Sequence, residues 1–342
     1  MARPGARNSL TDVPGVLVGC AADVSARTGV TVIAPEMRAV CAVDVRGGGP
    51  GTRETDALAA ENLVDAVDAV VLSGGSVYGL AAADGVASAL GAAGRGYRVS
   101  ATPGVPPSPI VPAAILFDLS NGGDKAWGAA PPYRDLGAAA FAAAGAEVPL
   151  GNAGAGYGAV AGALKGGQGT ASIVTPDGFV VGALACVNSF GSVVQPGTRA
   201  FWAWPFEIDG EFGGARPWDE GPPPPLTPED WGLAKRNPGA RQNTTIGLVA
   251  VNADLTPAEA RRMAQMASAG FARAIRPVFA PFDGDVVFAL ATGGASLGVG
   301  PERPFALARI GSLAADALAR AVARGVHAAD PLGAAPAWRD LR

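Results

Sequence analysis

The chain has 342 residues, 49% of them hydrophobic and 16% charged, with a net charge of −4. That length supports a substantial core, and the 49 glycines are spread among apolar segments, a pattern that excludes a disordered chain. There is no basic block and no run of about 18 apolar residues, so neither a nucleic-acid partner nor a membrane span is expected. The opening "MARPGARNSLTDVPG" lacks the apolar core of a signal peptide, and a cytoplasmic location is expected. Cys20, Cys41 and Cys186 are too few and too scattered for a disulfide framework or a zinc site, so they read as small core residues. The one histidine, His327, sits in an Ala/Arg-rich tail and reads as a surface or helix-end residue. An imidazole base is therefore not expected.

In chain order, "GVLVG" and "GVTVIAPE" read as strands, and "AVCAVDVRGGG" as a third that runs into a glycine loop. A helix is expected from about Asp56 to Asp68. "AVVLSGG" follows as a buried strand, then "SVYGLAAADGVASALGAAG" as a small-residue helix and "PIVPAAILFDL" as a strand. "KGGQGTASIVTPDGFVVGALACVNSFGSVV" reads as a hairpin turning at Pro176-Asp177-Gly178. From Pro205 to Arg241 the chain is rich in Pro, Gly and charge without periodicity, and it reads as a mobile segment. A strand from Thr245 to Val251 follows. In the helix "LTPAEARRMAQMASAGFARAI", Thr256 and Glu259 form a capping box with Pro257 at the first turn. Met263, Ala267, Phe271 and Ala274 share its apolar face. The strand "DVVFALAT" and a helix from roughly Pro304 to Arg324 complete the pattern. Strands and helices that mix without strict alternation suggest sheets packed together and covered by helices.

Several motifs nearly match. "GGSVYG" has Tyr78 where a nucleophile elbow needs its second glycine. Gly156, Gly158 and Ala161 fit a dinucleotide fingerprint, but "LKGGQG" breaks the helix that must follow. "RGGGPGTRET" lacks the Gly-Lys-Ser/Thr of a phosphate loop.

The junction Asn243-Thr244, where loop becomes strand, carries different chemistry. A threonine hydroxyl needs a base, and an N-terminal threonine supplies one in its own amine, with a pKa of about 7.7–8.0. Such a terminus arises mid-chain if the Thr244 hydroxyl attacks the Asn243 carbonyl and water hydrolyses the resulting ester. As a bare dipeptide, Asn-Thr is equally an ordinary strand entry.

"RQNTTIGLVAVNADLTPAEARRMAQMASAGFARAIRPVFAPFDGDVVFALAT" resembles the C-terminal subunit of the self-cleaving N-terminal-nucleophile hydrolases. This family contains the β-peptidyl and D-aminopeptidases and the aminohexanoate-oligomer (nylon-oligomer) hydrolases. "LTDVPGVLVG", "AVDVRGGGPGTRETDAL", "LSGGSVYGLAAADGV", "GNAGAGYGAVAG" and "VNSFGSV" resemble it in order, so the likeness runs from about Leu10 to Thr292. The resemblance implies an α+β fold, a four-layer αββα sandwich forming one domain over residues 1–342. It also implies cleavage into an α chain, 1–243, and a β chain, 244–342. The strand opened by Thr244 would lie centrally in a sheet shared by both.

Roles carry over to matching positions. Thr244 takes the nucleophile's place and Asn243 the acyl side of the cut bond. Lys165 matches a lysine beside the nucleophile; the chain has only three lysines against twenty-three arginines, which favours a specific role. Asn188 matches the oxyanion-hole amide, Tyr78 a tyrosine of the same pocket, and Asp283 and Asp285 the acids that orient the threonine. Threonine combined with Asp-x-Asp leans toward the nylon-oligomer branch. The implied activity is hydrolysis of amide bonds in short peptides or oligoamides through an acyl-enzyme. No metal or organic cofactor is implied, and the assembly implied is a homo-oligomer, a tetramer of αβ units. Acyl transfer of the ornithine/glutamate N-acetyltransferase type, and a non-catalytic binding protein with the same fold, remain as alternatives. Aminopeptidase and oligoamide endohydrolase action are not separable from the residues.

Overall fold

β-branched runs on either side of the turn Val24–Arg27 pair along their whole length, giving β1 (Val16–Asp23) and β2 (Thr28–Pro35) in antiparallel register. The structure is a computed structural model, and it describes residues 2–219, 221, 222, 225, 227, 229–235 and 243–341. The next elements are β3 (Val40–Val45), β4 (Thr52–Arg53), β5 (Val70–Ser73), α1 (Ala82–Ala92), β6 (Ala113–Ile115) and α2 (Tyr133–Ala142). A small ribbon of β7 (Val160–Ala161) and β8 (Leu164–Lys165) precedes the hairpin β9 (Gly167–Val174) and β10 (Val180–Asn188). Last come β11 (Thr244–Ala253), α3 (Pro257–Ala267), α4 (Ala269–Ala274), β12 (Val286–Ala295) and α5 (Glu302–His327).

Two five-stranded sheets result, in the orders β1-β2-β5-β6-β4 and β3-β12-β11-β10-β9. Their facing sides share one core, in which Val16, Ile33 and Leu72 meet Leu184, Leu248 and Phe288. The outer face of the first sheet packs on α1 and α2 through Val32, Val71, Val86 and Tyr133. The outer face of the second packs on α3, α4 and α5 through Val249, Met263, Phe271 and Leu318. Four layers, helix–sheet–sheet–helix, enclose three apolar interfaces, so this is the αββα sandwich that the resemblance implies.

Local chemistry accounts for several boundaries. Thr256 caps α3: its hydroxyl accepts the Glu259 N–H at 3.3 Å while the Glu259 carboxylate accepts the Thr256 N–H at 2.8 Å. Helix α5 lies unusually close to β9. A Cβ on Gly169 would stand 2.0 Å from the Ala321 carbonyl oxygen, so only glycine permits this approach.

Other expectations need correction. The stretch from Asp56 to Asp68 is not a helix: one 3-10 turn, Asp56–Leu58, gives way to irregular chain. Long-range pairing overrides its helical composition, because Val67 bridges Ala39 and the Asp68 carboxylate accepts the Ile110 N–H at 2.9 Å. No element is expected over Tyr133–Ala142, where the alanine-rich α2 forms.

The segment from Pro205 onward is anchored at its start. Phe212 is buried edge-on against Phe201, and Glu211 meets the fully buried Arg320 at 2.5 Å. Residues 236–242, at its downstream end, lie outside the described residues. Among those described, no helix is long and apolar enough to cross a membrane.

Arg320 also donates to the Ser172 carbonyl at 2.9 Å and to Asn8 Oδ1 at 2.8 Å, so it ties α5 to the sheet edge and to the 205–219 segment. Removing it takes the nearest cation from the Glu211 carboxylate, which keeps the Asn8 amide at 2.6 Å and the longer Arg324 contact at 3.4 Å. Arg320→Met is therefore expected to lower stability by about 3 kcal/mol, read from urea unfolding.

Candidate active site

The site is built where β11 begins. β10 runs antiparallel to β11 and sets Asn188 opposite Thr244. β12 runs parallel to β11 with Ile246 beside Val286, and an isolated bridge between Asn243 and Asp283 carries that register back. Thr244 therefore stands beside Gly284, and Thr245 beside Asp285. Asn243 and Thr244 are 0% and 3% exposed, so the junction sits inside a ladder and is no exposed loop.

The peptide bond at this junction is held in a specific way. The Asn243 carbonyl oxygen accepts the Gly284 N–H at 2.9 Å, and the Thr244 hydroxyl donates to the same oxygen. Gly284 is required here: a Cβ would lie 2.6 Å from Thr244 Oγ1. Lys235 Nζ donates to the Asn243 side-chain oxygen at 2.8 Å.

The two acids work from the adjacent loop. Asp285 accepts the Thr245 N–H at 2.6 Å and the Phe279 N–H at 3.1 Å, and Asp283 accepts the Ala280 N–H at 3.1 Å. Burial pushes the Asp285 carboxyl up to about 7, and the Asp283 charge pushes the same way. Burial raises Asp283 as well. The loop is pinned from the other side by the glycines after β3. Gly49 N–H reaches the Asp283 carbonyl at 2.7 Å, and Arg46 N–H reaches the Asp285 carbonyl at 3.0 Å. The "RGGGPG" stretch thus grips a peptide loop; its glycines permit backbone to lie on backbone.

A cavity of about 630 Å³ opens beside the junction, lined among others by Phe117, Asp118, Gly162, Asn188, Leu233 and Lys235. Asn188 faces both the cavity and Thr244's strand. Its oxygen accepts the Val160 N–H at 2.9 Å, and its amide N–H group donates to the Phe117 carbonyl at 3.0 Å. Lys165, at the end of β8, is fully buried and donates to the Gly166 and Gly156 carbonyls at 2.7 and 3.2 Å. Burial pushes its amine down to about 7, against the opposing pull of Asp118. Asp118 accepts the Thr28 hydroxyl and the Gly75 N–H, both at 2.7 Å, and burial raises its carboxyl to about 6.

The structure brings Asn243, Thr244, Asp283 and Asp285 into direct contact or adjacent register, with Asn188 opposite; Lys165 ends β8 with its amine on the Gly156 and Gly166 carbonyls. Tyr78 is placed differently. It lies on the 3-10 turn Ser76–Ala81, is 47% exposed, packs edge-on to Trp127 at 6.0 Å and is not among the cavity-lining residues. His327 ends α5 against Trp338 and Phe201, a helix-end position in an aromatic cluster. Asp118, Lys235 and Gly284 belong to the site without having been expected there. The scarcity of lysine that singles out Lys165 applies equally to Lys235, and Gly284 is the middle of Asp-x-Asp. Nothing local marks Asp118. Among the described residues, no group of three or more His, Cys, Asp or Glu is placed to hold a metal ion.

Solved structures share this architecture. A β-aminopeptidase of Burkholderia sp. superposes with a TM-score of 0.68 at 24% identity, covering 96% of this chain and 89% of that one. An L-aminopeptidase D-Ala-esterase/amidase of Ochrobactrum anthropi, described as a variant of the Ntn hydrolase fold, gives 0.68 at 21% identity, with coverages of 98% and 90%. The fold is thus that of the N-terminal-nucleophile hydrolases. Residues 8–336 match Peptidase family S58, and the chain belongs to that family. It is accordingly a hydrolase of amide bonds. An uncharacterized aminopeptidase of Mycobacterium tuberculosis (strain ATCC 25618 / H37Rv) is 46% identical over 355 residues, 98% of each chain. A 6-aminohexanoate-oligomer endohydrolase of Kocuria sp. (strain KY2) is 31% identical over 291 residues, 82% of this chain and 74% of the relative.

Asp283 raises Asp285 by its charge, so neutralising it has a defined sign. In Asp283→Asn the Asp285 carboxyl is expected to titrate at lower pH than in the wild-type chain, as followed by ¹³C NMR of the carboxyl carbon.

Proposed function

We propose that the chain cuts its own Asn243–Thr244 bond and that the freed threonine is the nucleophile of an aminopeptidase acting on short peptides. The observation that carries this reading is the Thr244 hydroxyl lying on a carbonyl that already accepts the Gly284 N–H. A carbonyl so polarised has a donor ready for the negative charge that develops on attack.

In the first step Thr244 Oγ bonds to the Asn243 carbonyl carbon and the C–N bond breaks. The hydroxyl proton passes to the departing amine, which leaves an ester between residues 243 and 244. Water hydrolyses the ester, giving a carboxylate on Asn243 and a threonine with free hydroxyl and amine. Before the cut Thr244 has no free α-amine, so another base must serve. Lys165, held near neutrality by burial, is suited to that task. Afterwards the Thr244 amine serves as base and the Lys165 charge, when present, depresses its pKa. Asp285 and Asp283 orient the strand end, and the Asn188 amide faces the oxyanion of an attacked substrate. Tyr78 is kept as a pocket residue only on the family resemblance. The threonine then attacks a substrate amide, and water releases the acyl-enzyme.

Aminopeptidase action is supported by three observations. The cavity suits a peptide of two or three residues. Asp118 lines the cavity and supplies an acidic group for a substrate's free amine. Relatives matching 98% of the chain bear the name aminopeptidase. The oligoamide reading draws on the endohydrolase relative and on a second cavity of about 500 Å³, which shares Ser120, Asn121, Val160 and Ala163 with the first and would admit longer chains. Membership of a peptidase family favours water over an amino acid as acyl acceptor. A homo-oligomer of αβ units, a tetramer, remains part of the proposal.

Intact mass under denaturing conditions, with N-terminal sequencing, is expected to give two chains, the smaller beginning Thr-Thr-Ile-Gly. Thr244→Ala should abolish cleavage and peptidase activity together; retention of either overturns the reading. Lys165→Ala is expected to slow cleavage by about 10²–10⁴. Since the neutral amine is the base, wild-type cleavage should rise as pH increases through about 7, and this limb should vanish in the variant. His327→Ala should leave turnover near wild type, since its ring lies in the Phe201–Trp338 cluster.

A further inference from the structure

Among the described residues, Lys235 is the one cation bonded to the residue whose carbonyl is attacked in the proposed self-cleavage. Its ammonium reaches the Asn243 side-chain oxygen at 2.8 Å. The strap that carries it is fixed by backbone bonds on both sides: Lys235 N–H donates to the Phe190 carbonyl at 3.0 Å, and the Leu233 carbonyl accepts the Ala163 N–H at 2.7 Å. Trp231 packs edge-on to Phe190 at 5.7 Å, and Phe190 in turn to Phe282 at 4.7 Å, next to Asp283. The strap Gly232–Lys235 thereby forms a wall of the cavity and ends at the junction. Without Lys235, the Asn243 side chain would hold no described hydrogen bond, since its amide nitrogen has no partner among the described residues.

We propose that Lys235 is the positioning residue of self-cleavage, clamping the Asn243 side chain so that its carbonyl stays between the Gly284 N–H and the Thr244 hydroxyl. The inference rests on the self-cleavage reading above. It follows from geometry: the carbonyl is tethered at one end by the β12 ladder, and among the described residues the contact with Lys235 is what holds the Asn243 side chain at the other. A side-chain clamp on the acyl residue keeps the attacked carbon at the hydroxyl's reach, and a misplacement of about 1 Å at such a site costs about 100-fold in rate. The chain uses arginine as its common cation and retains lysine at only three positions, one of which, Lys235, is bonded to this junction. A compact ammonium fits the space between the strap and Asn243, whereas a guanidinium is a wide planar fork.

The Lys235 amine is held down to about 8, chiefly by burial and against the pull of Asp283, the charged group acting on it. Its charge therefore lapses within an accessible pH range. As pH rises through about 8 the clamp loses its ammonium, so cleavage should slow on that side, opposite in sign to the Lys165 limb near 7.

The test is the rate of conversion of freshly translated full-length chain, followed by gel and mass spectrometry. Lys235→Met is expected to cleave at least tenfold slower than wild type. Lys235→Arg, which keeps its charge, should retain part of the rate and lose the fall above pH 8. In an Asn243→Ala background, adding Lys235→Met should slow cleavage no further, because the contact is already gone. This double variant separates a lost clamp from a damaged fold, which would give additive losses. Lys235→Met cleaving at the wild-type rate, or additive losses, overturns the clamp and leaves the self-cleavage reading standing. A wild-type chain that stays intact overturns both.

Discussion

The parallel pairing of β12 with β11 is the constraint on which the site depends. It fixes a register in which each residue at the junction has a defined neighbour: Asp283 for Asn243, Gly284 for Thr244, Asp285 for Thr245. A slip of one residue would turn every side chain to the opposite face. The Gly284 N–H would no longer meet the Asn243 carbonyl, and a carboxylate-bearing residue would press on the threonine hydroxyl. Parallel strands need long connections, and here that connection is α3, α4 and the Asp-Gly-Asp loop. The helical layer therefore exists at this edge partly to deliver three loop residues to the right place.

Burial does the electrostatic work. Lys165, Asp118, Asp285 and Lys235 have pKa values moved to between about 6 and about 8, each with burial as the first cause. One desolvated region thus gathers two acids and two bases poised near neutral pH without a histidine. The residual attractions between opposite signs, Asp118 with Lys165 and Asp283 with Lys235, keep the shifts moderate. Groups of the same kinds elsewhere behave differently. Asp177, on the surface beside Arg309, is held well below the usual carboxylate range by that guanidinium.

Much of the fold was legible because its signals are local. The strands read from β-branched runs, the hairpin from Pro-Asp-Gly and α3 from its capping box, each set by the residues that carry it. The false helix at Asp56–Asp68 shows the limit. Its composition favours a helix, but Val67 and Asp68 are claimed by partners 28 and 42 positions away, and such pairing leaves no mark in a window of sequence. The Pro-rich stretch shows the same limit in reverse. Its composition reads as slack, while Phe212 and Glu211 anchor its upstream part through α5 and the core.

At the site the division is similar. Asn243 and Thr244 could be named from the chemistry of their own junction, and Asp283, Asp285, Lys165 and Asn188 from ordered blocks resembling a family. By itself the sequence determined which groups could act: a threonine after an asparagine, scarce lysines, and a pair of acids two residues apart. The tertiary structure alone decided which of them meet. It put Gly284 against the threonine hydroxyl, fixed the strap of Lys235 against Phe190 and Ala163 so that its ammonium meets Asn243, eight residues on, and set Asp118 into the cavity wall. It left Tyr78 half exposed on Trp127. These placements are set by sheet order and by backbone contacts between segments far apart in sequence. The physical reason is that burial and proximity, which tune the charges here, are properties of the packed layers and belong to no single stretch of residues.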